Sequence, residues 1–137
     1  MFSRYDPGME YGDHIDNAIM GEIRTDLSVT LFLSRPDTYD GGELVIQLPL
    51  GNQEIKLDAG EAIVYPSNSV HHVAPVTRGA RLAAVTWVQS RVRDQEVRSI
   101  LYDLHKSAQD PVAGQNKDLS LLLAKSYHNL LRYAAES

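Results

Sequence analysis

Apolar and polar positions alternate along the first two-thirds of the chain, then change period. In residues 26–34, Val29, Leu31 and Leu33 fall on one face and Ser28, Thr30 and Phe32 on the other. That period of two is the mark of a strand. Residues 43–48, 54–57, 61–65 and 70–74 are further short strand-like runs, and 81–89 is a longer one. Turn chemistry separates them: Pro36 with Gly41 and Gly42, Gly51-Asn52 at the centre of a 49–53 turn, residues 58–60, residues 66–69, and Arg78-Gly79. Short strands divided by turns at roughly 8–12-residue spacing predict a mainly β fold, a sandwich or barrel, over residues 1–93.

From Asp94 the spacing becomes helical. Val97, Ile100, Leu101 and Leu104 predict a helix over 94–108 with Asp94 as its N-cap. Residues 109–117, with Pro111 and Gly114, read as a loop. Residues 118–135 predict a second helix striped by Leu119, Leu122, Leu123, Tyr127, Leu130 and Leu131. Such stripes are packing surfaces. Residues 94–137 are therefore expected as a C-terminal helical extension packed on the β core or on a partner, and the second helix offers a face for a homodimer.

Composition narrows the function classes. A chain of 137 residues, 43% hydrophobic and 23% charged, suits one globular domain. The net charge of −5 argues against nucleic acid as a partner, because phosphate contacts need a basic face. No apolar run approaches the ~20 residues that span a bilayer, and the first residues lack the pattern of a signal peptide. A cytoplasmic location without membrane attachment is expected. With no cysteine, disulfides, thiolate metal sites and cysteine nucleophiles are excluded. Any metal must be held by nitrogen and oxygen.

Candidate ligands of that kind are His14, Asp16 and His71. Residues two apart on a strand face the same way, so His14 and Asp16 can approach one ion together. Strands far apart in sequence are often neighbours in a jelly roll, which can bring in His71. Two imidazoles and one carboxylate suit a non-haem Fe(II) site with open positions. Zn(II) and Mn(II) also fit such ligands. His72 points to the opposite face of its strand from His71. Ten positions past His71, Arg81 opens an apolar strand. Arginine is seldom buried unpaired, and its fork suits a carboxylate. Asn17 can contact substrate or shape a turn. Asp13 is expected in solvent or behind the ligands, Trp87 in the core, and His105 and His128 on the helical surface.

The runs 11–17, Asp40-Gly-Gly-Glu-Leu44, Tyr65-Pro66, 71–81 and 87–94, resuming at 127–132, together resemble the PKHD-type hydroxylases. These belong to the prolyl hydroxylase branch of the Fe(II)/2-oxoglutarate dioxygenases. The resemblance implies a double-stranded β-helix (jelly roll) core. It implies His14, Asp16 and His71 as iron ligands, and Arg81 on the distal carboxylate of 2-oxoglutarate. It adds Tyr5 as a cosubstrate contact and L-ascorbate as the reductant of the iron. The implied reaction is hydroxylation of an unidentified C–H of a peptide, amino acid or small molecule, with O2 consumed and 2-oxoglutarate converted to succinate. Family members carry a substantial segment before the strand that starts here at Phe2, so a fragment or a minimal version is expected. The competing readings are a cupin-type metalloenzyme and a non-catalytic jelly-roll binding module.

Overall fold

A computed structural model describes residues 1–136. The chain divides into two compact units, Met1–Gln89 and Ser90–Ser137.

The first unit is built from antiparallel strands. These are β1 (Phe2–Tyr5), β2 (Tyr11–His14), β3 (Ile19–Met20), β4 (Ile23–Arg24), β5 (Leu27–Phe32), β6 (Asp40–Gly41), β7 (Leu44–Leu48), β8 (Gly51–Ile55), β9 (Ala62–Pro66), β10 (His71–Val73), β11 (Val76–Arg78) and β12 (Arg81–Val88). One four-stranded sheet has the order β1-β12-β5-β9 and the other β2-β10-β7-β8. β3 pairs with β4, and β6 with β11. Two four-stranded antiparallel sheets of non-consecutive strands, with helices following, are the jelly-roll architecture expected from the sequence. The inner faces meet in a core of Phe32 and Tyr65 from one sheet and Leu44, Ile46 and Ile55 from the other.

β5 reverses what hydropathy alone favours. Ser28, Thr30 and Phe32 are buried, whereas Leu27, Val29 and Leu31 are only half-buried. The interior here is a polar site, so the strand turns its hydroxyls inward. Leu33 lies beyond the strand and is exposed. The hairpin after β7 also differs from expectation. Leu48 pairs directly with Gly51, so Pro49 and Leu50 form the two-residue turn, while Gly51 and Asn52 belong to β8. Proline's fixed φ serves a turn position that a strand interior would not tolerate. At the other edge, Pro66 ends β9, an edge strand where its missing N–H costs little.

Gly41 and Gly79 hold the connection that leads into β12. Both have positive φ, 71° and 72°. A Cβ on Gly41 would lie 2.0 Å from the Pro75 carbonyl oxygen, and one on Gly79 would lie 2.1 Å from that of Thr38. No side chain fits at either position.

The second unit contains α1 (Gln95–Ala108), α2 (Pro111–Gly114) and α3 (Lys117–Ala134). Asp94 caps α1 by accepting from the Val97 N–H at 2.9 Å, as expected. The stretch read as a loop contains α2, started by Asp110 as N-cap with Pro111 in its first turn. Asn116 caps α3 through the Leu119 N–H. Of the α3 stripe, Leu119 and Leu122 are exposed. Among the described residues no helix is long and apolar enough to cross a membrane.

Candidate metal centre

β2 and β10 are neighbours, and their register sets His14 directly opposite His71. Asp16 lies just past the end of β2, where its N–H donates to the Ser67 carbonyl at 3.3 Å. The ligand-capable atoms of His14, Asp16 and His71 all lie within 4.8 Å of one another. Asp16 Oδ1 is 3.9 Å from Nε2 of each histidine. Among the described residues no further histidine, aspartate or glutamate joins the group.

Backbone carbonyls fix the tautomer of both rings. His14 Nδ1 is 2.8 Å from the Gly12 oxygen, and His71 Nδ1 is 2.9 Å from the Ser69 oxygen. A carbonyl can only accept, so each Nδ1 donates its proton there and Nε2 is the ring nitrogen left facing Asp16. His71 is buried. His72 points away, and its Nδ1 meets Asp13 Oδ1 at 2.7 Å on the exposed side. The divergence of these adjacent histidines is the alternation of a strand.

The same three residues line a cavity of about 320 Å³, within the usual range for small-molecule sites. Arg81 lines it too and is 2% exposed. Its Cζ lies 5.4 Å from the ring centroids of both Tyr5 and Phe32. Its Nε has no hydrogen-bond partner, and among the described residues no carboxylate pairs with it. Burial pushes the Arg81 pKa below its ordinary value, partly opposed by the phenols of Tyr39, Tyr5 and Tyr65. A buried guanidinium without an anion leaves a strong donor unused. A dicarboxylate in the cavity would satisfy it. The Tyr39 hydroxyl is likewise buried and unpartnered.

Tyr5, expected as a cosubstrate contact, lines the cavity, and burial raises its phenol pKa. Trp87, expected in the core, faces the cavity, and its buried Nε1 has no partner. Thr30 and Tyr65 also line the cavity. Sequence alone assigns neither a site role, although Tyr65 stands in one of the runs that carry the resemblance, and only the inward turn of β5 points to Thr30. The Asn17 backbone carbonyl accepts from the Thr25 hydroxyl, which places Asn17 in the turn leading to β3 and β4. Two imidazole nitrogens, one carboxylate oxygen and an unpaired arginine fit a divalent iron with an acidic cosubstrate beside it.

Residues 1–89 match the family model of the 2OG-Fe(II) oxygenase superfamily, and the chain belongs to that family. It is 54% identical over 138 residues to a PKHD-type hydroxylase of Maricaulis maris (strain MCS10) and 51% identical over 137 residues to one of Acaryochloris marina (strain MBIC 11017). In each case 99% of this chain is covered and 63% of the relative, so the chain spans under two-thirds of their length. Among solved structures, a Pseudomonas putida prolyl-4-hydroxylase is similar at a TM-score of 0.56 and 31% identity, covering 66% of this chain and 51% of that one. A 2OG-Fe(II) oxygenase family oxidoreductase from Burkholderia pseudomallei shares the fold at a TM-score of 0.53 and 24% identity, covering 63% of this chain and 40% of that one.

Proposed function

We propose that the chain carries the active site of an Fe(II)- and 2-oxoglutarate-dependent hydroxylase. His14, Asp16 and His71 would hold the metal. Arg81 would bind the far carboxylate of 2-oxoglutarate, with Tyr5 packed against it. The observation that carries this reading is Arg81, buried with an unused donor in the cavity of the His-Asp-His cluster. When bound, the iron supplies O2 activation coupled to decarboxylation of 2-oxoglutarate and hydroxylation of a substrate C–H.

The protein's own residues supply geometry and exclusion. The carbonyls of Gly12 and Ser69 hold the two imidazoles with Nε2 available. The Arg81 fork sets the direction of the cosubstrate, and its planar pair of donors matches the two oxygens of a carboxylate. Apolar walls such as Val73 and Val85 lower the local polarity and strengthen that pairing. A substrate C–H would enter this cavity, and its parent molecule is a peptide, an amino acid or a smaller compound. L-ascorbate as reductant, and the cytoplasm as the compartment that supplies 2-oxoglutarate, complete the reading.

Anaerobic addition of Fe(II) and 2-oxoglutarate should produce a weak visible metal-to-ligand charge-transfer band. Absence of that band from folded protein would sink the reading. His71→Ala should abolish it, whereas His72→Ala should leave it within about twofold in intensity, since that ring faces away. Arg81→Met, similar in length but uncharged, should raise the 2-oxoglutarate concentration needed for the band by about 100-fold, the loss of roughly 2–3 kcal/mol from a charged hydrogen-bonded pair. Its affinity for Fe(II) alone should be unchanged.

A further inference from the structure

We propose that Ser28, backed by Ser67, is a positioning residue that fixes the Asp16 carboxylate so that only Oδ1 is offered to the metal. The inference rests on the metal-centre reading above and deepens it. The Ser28 hydroxyl donates to Asp16 Oδ2 and lies 2.8 Å from Ser67 Oγ. Both serines are buried, Ser28 completely. Proton counting sets the direction of the chain. The Asp16 carboxylate can only accept, so the single Ser28 proton goes to it. Ser67 must then donate its own proton to Ser28 Oγ. The relay runs Ser67 to Ser28 to Asp16, and each bond polarises the next.

Ser67 also holds Asp16 through the main chain, because its carbonyl accepts the Asp16 N–H at 3.3 Å. Its own N–H is tied to the Asp26 carbonyl at 3.2 Å. Both ends of Asp16 are thus fixed from the sheet that carries β5 and β9, while the histidines come from β2 and β10. An unrestrained carboxylate can rotate and offer both oxygens to an ion. The second oxygen would take a position that a chelating cosubstrate needs. With Oδ2 committed to Ser28, Oδ1 alone faces the two Nε2 atoms at 3.9 Å. Hydroxyls buried merely for packing would bond the nearest carbonyl. These two end on a ligand-capable carboxylate instead.

The test is metal binding by the full chain, read without turnover. Wild type and variants are titrated with Co(II) and their visible absorption is recorded. Ser28→Ala should bind Co(II) about tenfold or more weakly, as for other partners of metal ligands, with shifted Co(II) bands. Ser28→Thr keeps the hydroxyl and should recover the wild-type spectrum. Ser67→Ala should lose less, about threefold, because the donor to Asp16 remains. A purely structural role would lower the melting temperature but leave the Co(II) affinity and spectrum of the folded protein at wild-type values. That result overturns the proposal. Should Ser28→Ala not fold, Ser67→Ala decides, and an unchanged spectrum and affinity there overturn it as well. Wild type that binds no Co(II) and gives no Fe(II)–2-oxoglutarate band would instead remove the metal-centre reading itself.

Discussion

Burial changes what single groups in this cavity can do, and Tyr65 gives the measurable case. Its phenol pKa is pushed up to about 12, first by desolvation, with the Asp16 charge adding and the Thr30 hydrogen bond opposing. The ordinary value is 10.0. Between these values the unfolded chain gives up the Tyr65 proton while the folded chain keeps it. Its contribution is therefore intact below pH 10 and is lost as pH rises through about 12. The denaturation midpoint should fall over that window, and it should fall less for Tyr65→Phe. Part of the fall should remain in the variant, because Tyr5 and Tyr39 are also raised. Equal falls in both proteins would remove Tyr65 as a source. At this scale the sequence was informative where chemistry is rare. A His-x-Asp pair, a second histidine and an arginine in an apolar strand stand out among 137 residues. Serine and threonine do not. Ser28 and Ser67 meet across 39 positions only because β5 pairs with β9. A serine in a strand carries no mark of the partner it will find.

The elements show why spacing revealed most strands but not their inner faces. Alternation in β5 was plain, yet which side faced inward depended on the cavity, and hydropathy favours the wrong side. β3 and β4, two residues each, are too short for any period to register. The same limit applies to α2, four residues inside a stretch that reads as loop. Turn chemistry was more specific near the site. Gly79 has positive φ, stands two residues before Arg81, and leaves no room for a Cβ against the Thr38 carbonyl. Gly79→Ala should destabilise the chain by about 1–3 kcal/mol through strain at positive φ and the forced movement of the Thr38–Tyr39 backbone. The effect on ligands should be unequal. β12 delivers Arg81, whereas the proposed metal ligands come from β2, β10 and Asp16 just past β2. The variant should therefore need several-fold more 2-oxoglutarate for the charge-transfer band while its Co(II) affinity stays near wild type. A matched loss of both would mean that the glycine supports the whole unit and not the arginine strand alone.

At the scale of the molecule, the outer face of the β1-β12-β5-β9 sheet is mostly apolar, with Arg4 and Thr86 as its polar members. The sheet's inner face closes the cavity. On its outer face the register places Phe2 beside Ala84, Ala84 beside Leu31, Leu31 beside Ala62, and Val29 beside Val64. Leu82 and Val88 continue the same face along β12. Of these, Phe2 is 83% exposed, Val64 55%, Val88 42% and Leu82 37%. A contiguous apolar patch of this kind promotes association, and an edge strand such as β9 adds unpaired backbone groups to it. The net charge of −5 offers only modest repulsion against that tendency. Replacing Val64 and Val88 together by glutamate breaks the patch and raises the negative charge, the more effective sign for solubility. The double variant should scatter less light at a given concentration and bind less of an apolar dye. Its affinity for Co(II) and 2-oxoglutarate should be unchanged, because these side chains alternate with the inward-facing Tyr65 and Trp87 and point away from the cavity. Undiminished scattering would place the adhesive surface elsewhere, and altered ligand affinity would mean that the outer face is coupled to the site through the sheet.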